Sequence, residues 1–290
     1  MLGYHAVSVL KQAEEAAQND CGKALSILRG LSLDEFGTLL LDVPHEYPNL
    51  KNSLPRMAAE KVQRDWTGNV GQHLLIRSCH FVRTVESAFR KHLGRGLEDA
   101  TVLDYGVGWG RLVRLMYRYT APEKIYGVDS WSESIRHCRE AGLLGNLALC
   151  DDVPRSLPFD GVSFDLVYAC SVFTHLSEKT AMQVLDVMRS CIRPDGLLVI
   201  SIRPCEHWHA VPPSGTGPSN EEMVRRHTET GFAFIPHNRA PIDGDITYGD
   251  ASISLDYMQK KWTAWEYLGY EQSLIDPNQL IVFLKPRIEE

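Results

Sequence analysis

The sequence predicts an α/β fold built on a doubly wound, mostly parallel sheet of seven strands. A helical extension precedes the sheet, and an insertion follows its fifth strand. Three observations carry this prediction. From residue 101 onward, short apolar runs alternate with helical patterns, the texture of right-handed βαβ units whose sheet is covered on both faces. Near the C-terminus, two further apolar runs are separated only by "DPNQ", a connection too short for a parallel crossover, so the last strand pairs antiparallel. Before residue 95 the periodicity is helical on both sides of a proline-interrupted stretch at residues 44–55.

Residues 1–95 read as a helical extension. Val7, Leu10, Ala13 and Ala17 share one helical face, and Ser32 with Glu35 forms a capping box ahead of Phe36, Leu39 and Leu40. Pro44, Pro48 and Pro55 interrupt the pattern and mark residues 44–55 as a linker. Leu74, Leu75, Phe81, Val82, Val85, Phe89 and Leu93 then recur at helical spacing. Residues 96–290 form the second part. Its first five strands are expected at Thr101–Tyr105, Lys124–Val128, Leu147–Cys150, Phe164–Ala169 and Leu197–Ile202, with helices near 109–118, 131–142 and 177–191. A helix over Ser254–Tyr267 leads to the final strands, Tyr270–Ile275 and Leu280–Leu284. Residues 204–253 remain, a long stretch of little periodicity, and such a stretch is usually a lid or binding loop.

Composition narrows the function. The 290 residues are 44% hydrophobic and 23% charged, which is ordinary for a globular chain. The formal net charge of −7 argues against nucleic-acid partners, which usually meet a basic face. Seven cysteines are odd in number and include no CxxC pair, so neither a zinc ribbon nor a redox dithiol is expected, and no metal site is assigned. Cys150, Cys170 and Cys191 sit in apolar surroundings and read as small core residues. The N-terminus lacks a signal-peptide layout and no run approaches a membrane span, so a cytoplasmic location is the expectation.

The stretch "TVLDYGVGWGRLVRLM" places Gly106, Gly108 and Gly110 between an apolar run and a helical pattern, so a ligand must approach this backbone closely. A nucleotide-phosphate loop fails because no Gly-Lys-Ser/Thr follows. The third glycine comes one residue sooner than in the dinucleotide fingerprint. Asp104 precedes the turn, and a carboxylate there repels a pyrophosphate but suits an ammonium or sulfonium cation.

On these residues the sequence resembles the class I S-adenosylmethionine (SAM) dependent methyltransferases, which have a Rossmann-like fold. "VLDYGVGWGR" looks like their first motif. "IYGVDS" matches the second strand, "LCDDVPRSLPF" the end of the third, "FDLVYACSVFTHL" the fourth, and "IRPDGLLVI" the turn into the fifth. The resemblance implies SAM as cofactor and S-adenosylhomocysteine as product. It implies cofactor contacts from Asp104, Tyr105, Gly106, Gly108 and Gly110, with Asp129 and Ser130 at the ribose. Asp152 and Val153, with Asp151 as the alternative acid, fall at the adenine, and Cys170 follows the fourth strand. Trp66, in "QRDWTGNVG", lies where relatives fold a helical break over SAM. Trp109 reads either as packing or as a pocket wall.

The acceptor is less legible. His175 stands just beyond the fourth strand, where related enzymes often carry a histidine near the transfer site. His207 and His209 follow the fifth strand, and all three are candidate bases. If their segment is extended, the latter two point to opposite faces. His237, Asp245 and Tyr248 are lower-ranked acceptor contacts. Trp208 and Tyr248 carry polar handles suited to stacking on a sugar or planar ring, whereas Phe232 and Phe234 read as packing. The motifs that the resemblance associates with amino-DNA, cytosine C5, protein-arginine and catechol acceptors are not present in their places. Residues 204–253 hold three Arg and no Lys against seven acids. The reading is therefore a methyltransferase of small molecules or saccharides, at oxygen rather than nitrogen. A tRNA or protein methyltransferase and a SAM-binding regulator without turnover are the alternatives. For the N-terminal helices, a lid, a homodimer contact and an acceptor platform stay open.

Overall fold

The computed structural model describes residues 4–210, 217–273 and 275–288. The chain divides into two compact units, residues 1–149 and 150–290.

The first unit opens with helices α1 (Tyr4–Ala17), α2 (Cys21–Leu28), α3 (Leu33–Leu41), α4 (Pro48–Ser53), α5 (Glu60–Thr67) and α6 (Gly71–Leu93). The predicted capping box forms: Ser32 Oγ accepts from Glu35 N–H, and the Glu35 carboxylate accepts from Ser32 N–H. Such a cap contributes roughly 1 kcal/mol. The expected linker is not structureless. It holds α4, where Pro48 occupies the first turn, a position with no intrahelical N–H bond to lose. α6 buries Leu74, Leu75, Phe81, Val82, Val85 and Phe89, and ends at Gly94, whose left-handed φ of 70° suits glycine. Strand β1 (Val102–Tyr105), a short α7 (Val113–Met116), β2 (Ile125–Asp129), α8 (Ser132–Glu140) and β3 (Asn146–Leu149) follow. All four residues of β1 are buried, as a parallel central strand requires. β1 pairs with β2 and β2 with β3, both parallel, with Asp104 opposite Gly127.

The second unit begins with β4 (Phe164–Ala169), fully buried, then α9 (Glu178–Cys191) and β5 (Ile192–Ile202). The insertion is more ordered than its sequence suggests. It contains α10 (His207–Ala210), α11 (Asn220–Thr230) and a hairpin of β6 (Phe232–Pro236) with β7 (Gly249–Ile253). Its residues 211–216 lie outside the described residues. α12 (Leu255–Lys261), β8 (Trp265–Gln272) and β9 (Leu280–Pro286) complete the chain. β4 and β5 are parallel, and β9 runs antiparallel to both β5 and β8. The strand order β3-β2-β1-β4-β5-β9-β8 is the seven-stranded, mostly parallel pattern that the sequence predicts.

Three expectations need correction here. The helix over Ser254–Tyr267 stops at Lys261, because Trp265 pairs with Pro286 and begins β8. That pairing also moves the expected Tyr270–Ile275 strand toward the N-terminus, and residue 274 lies outside the described residues. Cys150, Cys170 and Cys191 are partly exposed rather than core residues. Among the described residues, no helix is long and apolar enough to cross a membrane.

Candidate active site

In the first unit, the glycine turn leaves β1 and is fixed by hydrogen bonds on several sides. Gly106 and Val107 N–H both donate to Val128 O at 2.8 and 2.9 Å. Gly108 N–H donates to Asp129 Oδ2 at 2.9 Å, while Trp131 N–H donates to Oδ1 at 2.9 Å. Asp129, ending β2, thus ties the turn to the start of α8. The Cys138 thiol donates to Gly108 O at 3.2 Å. Burial foremost pushes that thiol's pKa up to about 12, with Asp104 and Asp129 adding to the rise against Arg114, so it keeps its proton.

Gly106, Gly108 and Gly110 all have positive φ, at 83°, 56° and 81°, where a side chain is strained. Their surroundings differ. A Cβ on Gly110 would meet Leu143 Cδ2 at 2.0 Å, whereas on Gly108 it would meet nothing nearer than Trp66 Cε3 at 4.0 Å. Gly108 therefore lines an open cradle, while Gly110 is needed for packing.

Behind the turn lies Arg114, 2% exposed, whose Nε donates to Gly110 O at 3.1 Å and whose Nη1 donates to Arg56 O at 2.9 Å. Its guanidinium sits 4.9 Å from the Trp109 ring centroid. Burial lowers its pKa to about 10, which leaves it charged at neutral pH. Trp109 is itself buried, so of its two readings the structure supports packing.

The structure brings Asp104, Tyr105, the three glycines, Asp129, exposed Ser130 and Trp66 together in this unit. Trp66 packs on Trp131 with ring centroids 4.6 Å apart. Trp131 is 54% exposed and was missed by the sequence reasoning, although it stands two residues beyond Asp129.

In the second unit, Asp151 and Asp152 are exposed in the turn after β3, and Val153 and Cys170 are partly buried. Ser171, next after Cys170, adopts a φ of 59°, and its N–H donates to Ser201 Oγ at 2.7 Å. Left-handed backbone at a non-glycine residue is costly and tends to collect at functional sites.

The loop after β4 is locked to the insertion. Ser177 N–H donates to Thr247 O, Gly249 N–H to His175 O, and Ala251 N–H to Thr174 O. His175 Nδ1–H donates to Gly249 O at 2.7 Å, and Arg203 Nη2 donates to His175 Nε2 at 3.3 Å. Arg203 Nη1 also donates to Asp250 Oδ1 at 2.6 Å. The second oxygen of Asp250 accepts from His237 Nε2 at 2.9 Å. Burial, the largest single influence on Asp250, would raise its pKa, but His237 and Arg203 together lower it. Burial, then Arg203, brings His175 down to about 4, so the ring is neutral.

His207 is buried, edge-on to Trp208 with centroids 5.0 Å apart, and burial followed by Arg203 lowers it to about 4. His209 is exposed and stands apart from this group. The segment holding both is helical, not extended, so the opposite-face expectation does not apply. Trp208 is fully buried with Met223 and Ala233, and its Nε1–H donates to Ser252 Oγ at 2.6 Å, so it is a packing residue and not a stacking platform. The Tyr248 ring already carries His175 at 5.0 Å and 7° and Arg239 at 4.2 Å. Asp245 accepts from Ser177 Oγ at the start of α9 and so braces the helix. Arg203 and Asp250, which organise the group, were not singled out from the sequence; their partners are distant in the chain.

The strand order is that of an open α/β sheet, which binds ligands at the carboxyl ends of its strands, and the acid–glycine–acid turn lies at the carboxyl ends of β1 and β2. Residues 102–196 match the family described as a methyltransferase domain. Over this segment the match supports a SAM-dependent methyltransferase. Two solved structures share its fold. One is a S-adenosylmethionine-dependent methyltransferase from Clostridium acetobutylicum ATCC 824, with TM-score 0.52 and 12% identity, covering 78% of this chain and 96% of its own. The other is the PH0226 protein from Pyrococcus horikoshii OT3, with TM-score 0.53 and 17% identity, covering 80% and 100%. No curated protein matches the chain.

Proposed function

We propose that the protein transfers the methyl group of SAM to a hydroxyl of a small-molecule or saccharide acceptor. In this reading residues 96–290 are the catalytic domain, residues 204–253 are its acceptor side, and residues 1–95 are an extension. SAM supplies an activated sulfonium methyl, and the residues present fit it. Gly108 offers an open face that a Cβ would fill, which lets the methionine portion lie against backbone. Asp104 places negative charge beside a cation, Asp129 accepts from the ribose hydroxyls, and Asp151 or Asp152 with Val153 meets the adenine. Trp66 and Trp131 cover the turn. Positioning of this kind contributes roughly 7–11 kcal/mol to such a displacement and needs no metal.

The observation that carries the acceptor half is the polar group on Thr174–Ser177, Arg203 and the β6–β7 hairpin, beyond the carboxyl ends of β4 and β5. Its insertion, with three Arg and no Lys against seven acids, is a poor surface for a polyanion. His175 belongs to that group, with its lone pair directed at Arg203, so its role is to shape the acceptor side.

The test is release of S-adenosylhomocysteine from SAM in the presence of separate pools of saccharides, phenols, tRNA and unfolded peptides. Turnover confined to the first two supports the reading, and turnover confined to tRNA or peptides overturns it.

A further inference from the structure

Of the eight residues of α5, only Gln63 is buried, at 4% exposure. A surface helix normally docks through an apolar stripe, whereas the single buried side chain of this one is an amide. Both ends of that amide are used. Nε2–H donates to Ala58 O at 2.7 Å, just before α5, and Oε1 accepts from Gly71 N–H at 3.1 Å, where α6 begins. Only one orientation of the amide serves a carbonyl and an N–H together. Gln63 thereby joins the chain entering the helix to the chain leaving it. The ion pairs of α5, Lys61 with Asp65 and Arg64 with Glu60, lie within its exposed side and dock it to nothing.

Trp66 stands three residues after Gln63, on the same helical face. Its ring lies 4.6 Å from that of Trp131 and 5.3 Å, edge-on, from that of His137 on α8. Its Cε3 is also the atom nearest the open side of Gly108, 4.0 Å from where a Cβ would stand. All of these residues belong to the first unit. The backbone of α5 carries the indole to this place, and the Gln63 amide holds that backbone.

We propose that Gln63 is the positioning residue of Trp66. Its amide latches α5 so that the indole walls the open side of the glycine turn and slows the departure of an adenosyl ligand. The inference rests on the proposed reading of that turn as the SAM cradle. Methionine in place of Gln63 fills similar space but leaves Ala58 O and Gly71 N–H without their partner. α5 then opens locally, while the apolar face of α6 stays packed.

The test uses the full chain as wild type, Gln63→Met, Trp66→Ala and the double variant. Isothermal titration and stopped-flow displacement read the affinity and dissociation rate of S-adenosylhomocysteine. Gln63→Met should weaken binding about tenfold, chiefly through faster dissociation, with Tm lower by only a few degrees. In the Trp66→Ala background the same substitution should cost no more than about twofold, because the residue it positions is gone. Gln63→Glu adds a pH signature that a merely structural role would not show. Its carboxylate cannot donate to Ala58 O, so binding should be weak at about pH 8 and recover toward about pH 5 as the carboxyl, its pKa raised by burial, takes up a proton.

Hydrogen exchange reads the latch without any ligand. Amides of residues 60–67 should exchange roughly tenfold faster in Gln63→Met, with those of α6 unchanged. Unchanged exchange over residues 60–67 overturns the latch. Equal losses of affinity with and without Trp66, or intact affinity beside faster exchange, overturn the positioning role and leave the cradle reading standing. A wild type that binds no S-adenosylhomocysteine overturns that reading and this inference with it, a failure told apart because the exchange data need no ligand.

Discussion

Replacing Gly108 with alanine separates a ligand-facing glycine from a structural one. At Gly108 the φ of 56° puts an alanine in the left-handed region, at a cost of about 1–2 kcal/mol. No steric penalty adds to it, since the nearest atom is Trp66 Cε3 at 4.0 Å. For a chain of this size each kcal/mol corresponds to about 2–4 °C in Tm, so Gly108→Ala should unfold only a few degrees early. The added methyl nevertheless occupies the face on which the cofactor would lie, so affinity for S-adenosylhomocysteine should fall by about 100-fold, or roughly 2.7 kcal/mol.

Gly110→Ala is the internal control. Its φ of 81° imposes the same strain, and its Cβ would sit 2.0 Å from Leu143 Cδ2. Overpacking adds about 1–3 kcal/mol, so this variant should lose more stability and proportionately less affinity. Thermal unfolding beside isothermal titration of S-adenosylhomocysteine reads both quantities. Gly108→Ala binding as tightly as wild type would refute the assignment of that face to the ligand.

Three further outcomes follow from the same geometry. Asp129→Asn leaves one acceptor where two backbone N–H groups now bind, costing about 1–2 kcal/mol in denaturant unfolding. It should also weaken S-adenosylhomocysteine at least tenfold; unchanged affinity would remove Asp129 from the ribose. Arg114→Lys keeps the charge but loses the planar fork that reaches Gly110 O and Arg56 O together, so about 2–3 kcal/mol of stability should go. Equal denaturation midpoints for the variant and wild type would show that the buried guanidinium does not hold the turn. His175 and His207 titrate near 4 in the folded chain, against about 6.5 unfolded. Below 6.5 the unfolded state binds more protons, so their stability contribution is complete above pH 6.5 and is lost as pH falls toward 4, by up to about 3 kcal/mol each. A Tm that stays level from pH 7 to 4.5 would contradict this.

The glycine turn and its acids were legible as one cluster because their signals are local. Asp104 and the glycines lie within seven residues, and Asp129 ends the adjacent strand, so motif and geometry coincide. Likewise β1 and β4 are continuous buried runs that need no partner to be recognised. The polar group around Asp250 was not legible, for the opposite reason. β7 pairs with β6 across a twelve-residue connection and bonds to Thr174 and His175, more than seventy residues away. No periodicity within 204–253 encodes that. The same distance hid Arg203 and Asp250, whose importance lies entirely in the partners they bring together. Trp208 misled because an indole with a polar handle reads alike in a pocket and in a core. Only its full burial and its bond to Ser252 decide the matter.

On the proposed reading, the turn from Asp104 to Gly110, with Asp129, holds an adenosyl ligand and not a dinucleotide. Isothermal titration of the full chain with SAM, S-adenosylhomocysteine and NAD⁺ tests it most directly. The prediction is saturable binding of both adenosyl ligands at one site per chain, with no heat from NAD⁺. Binding of NAD⁺ with none of SAM or S-adenosylhomocysteine would contradict it.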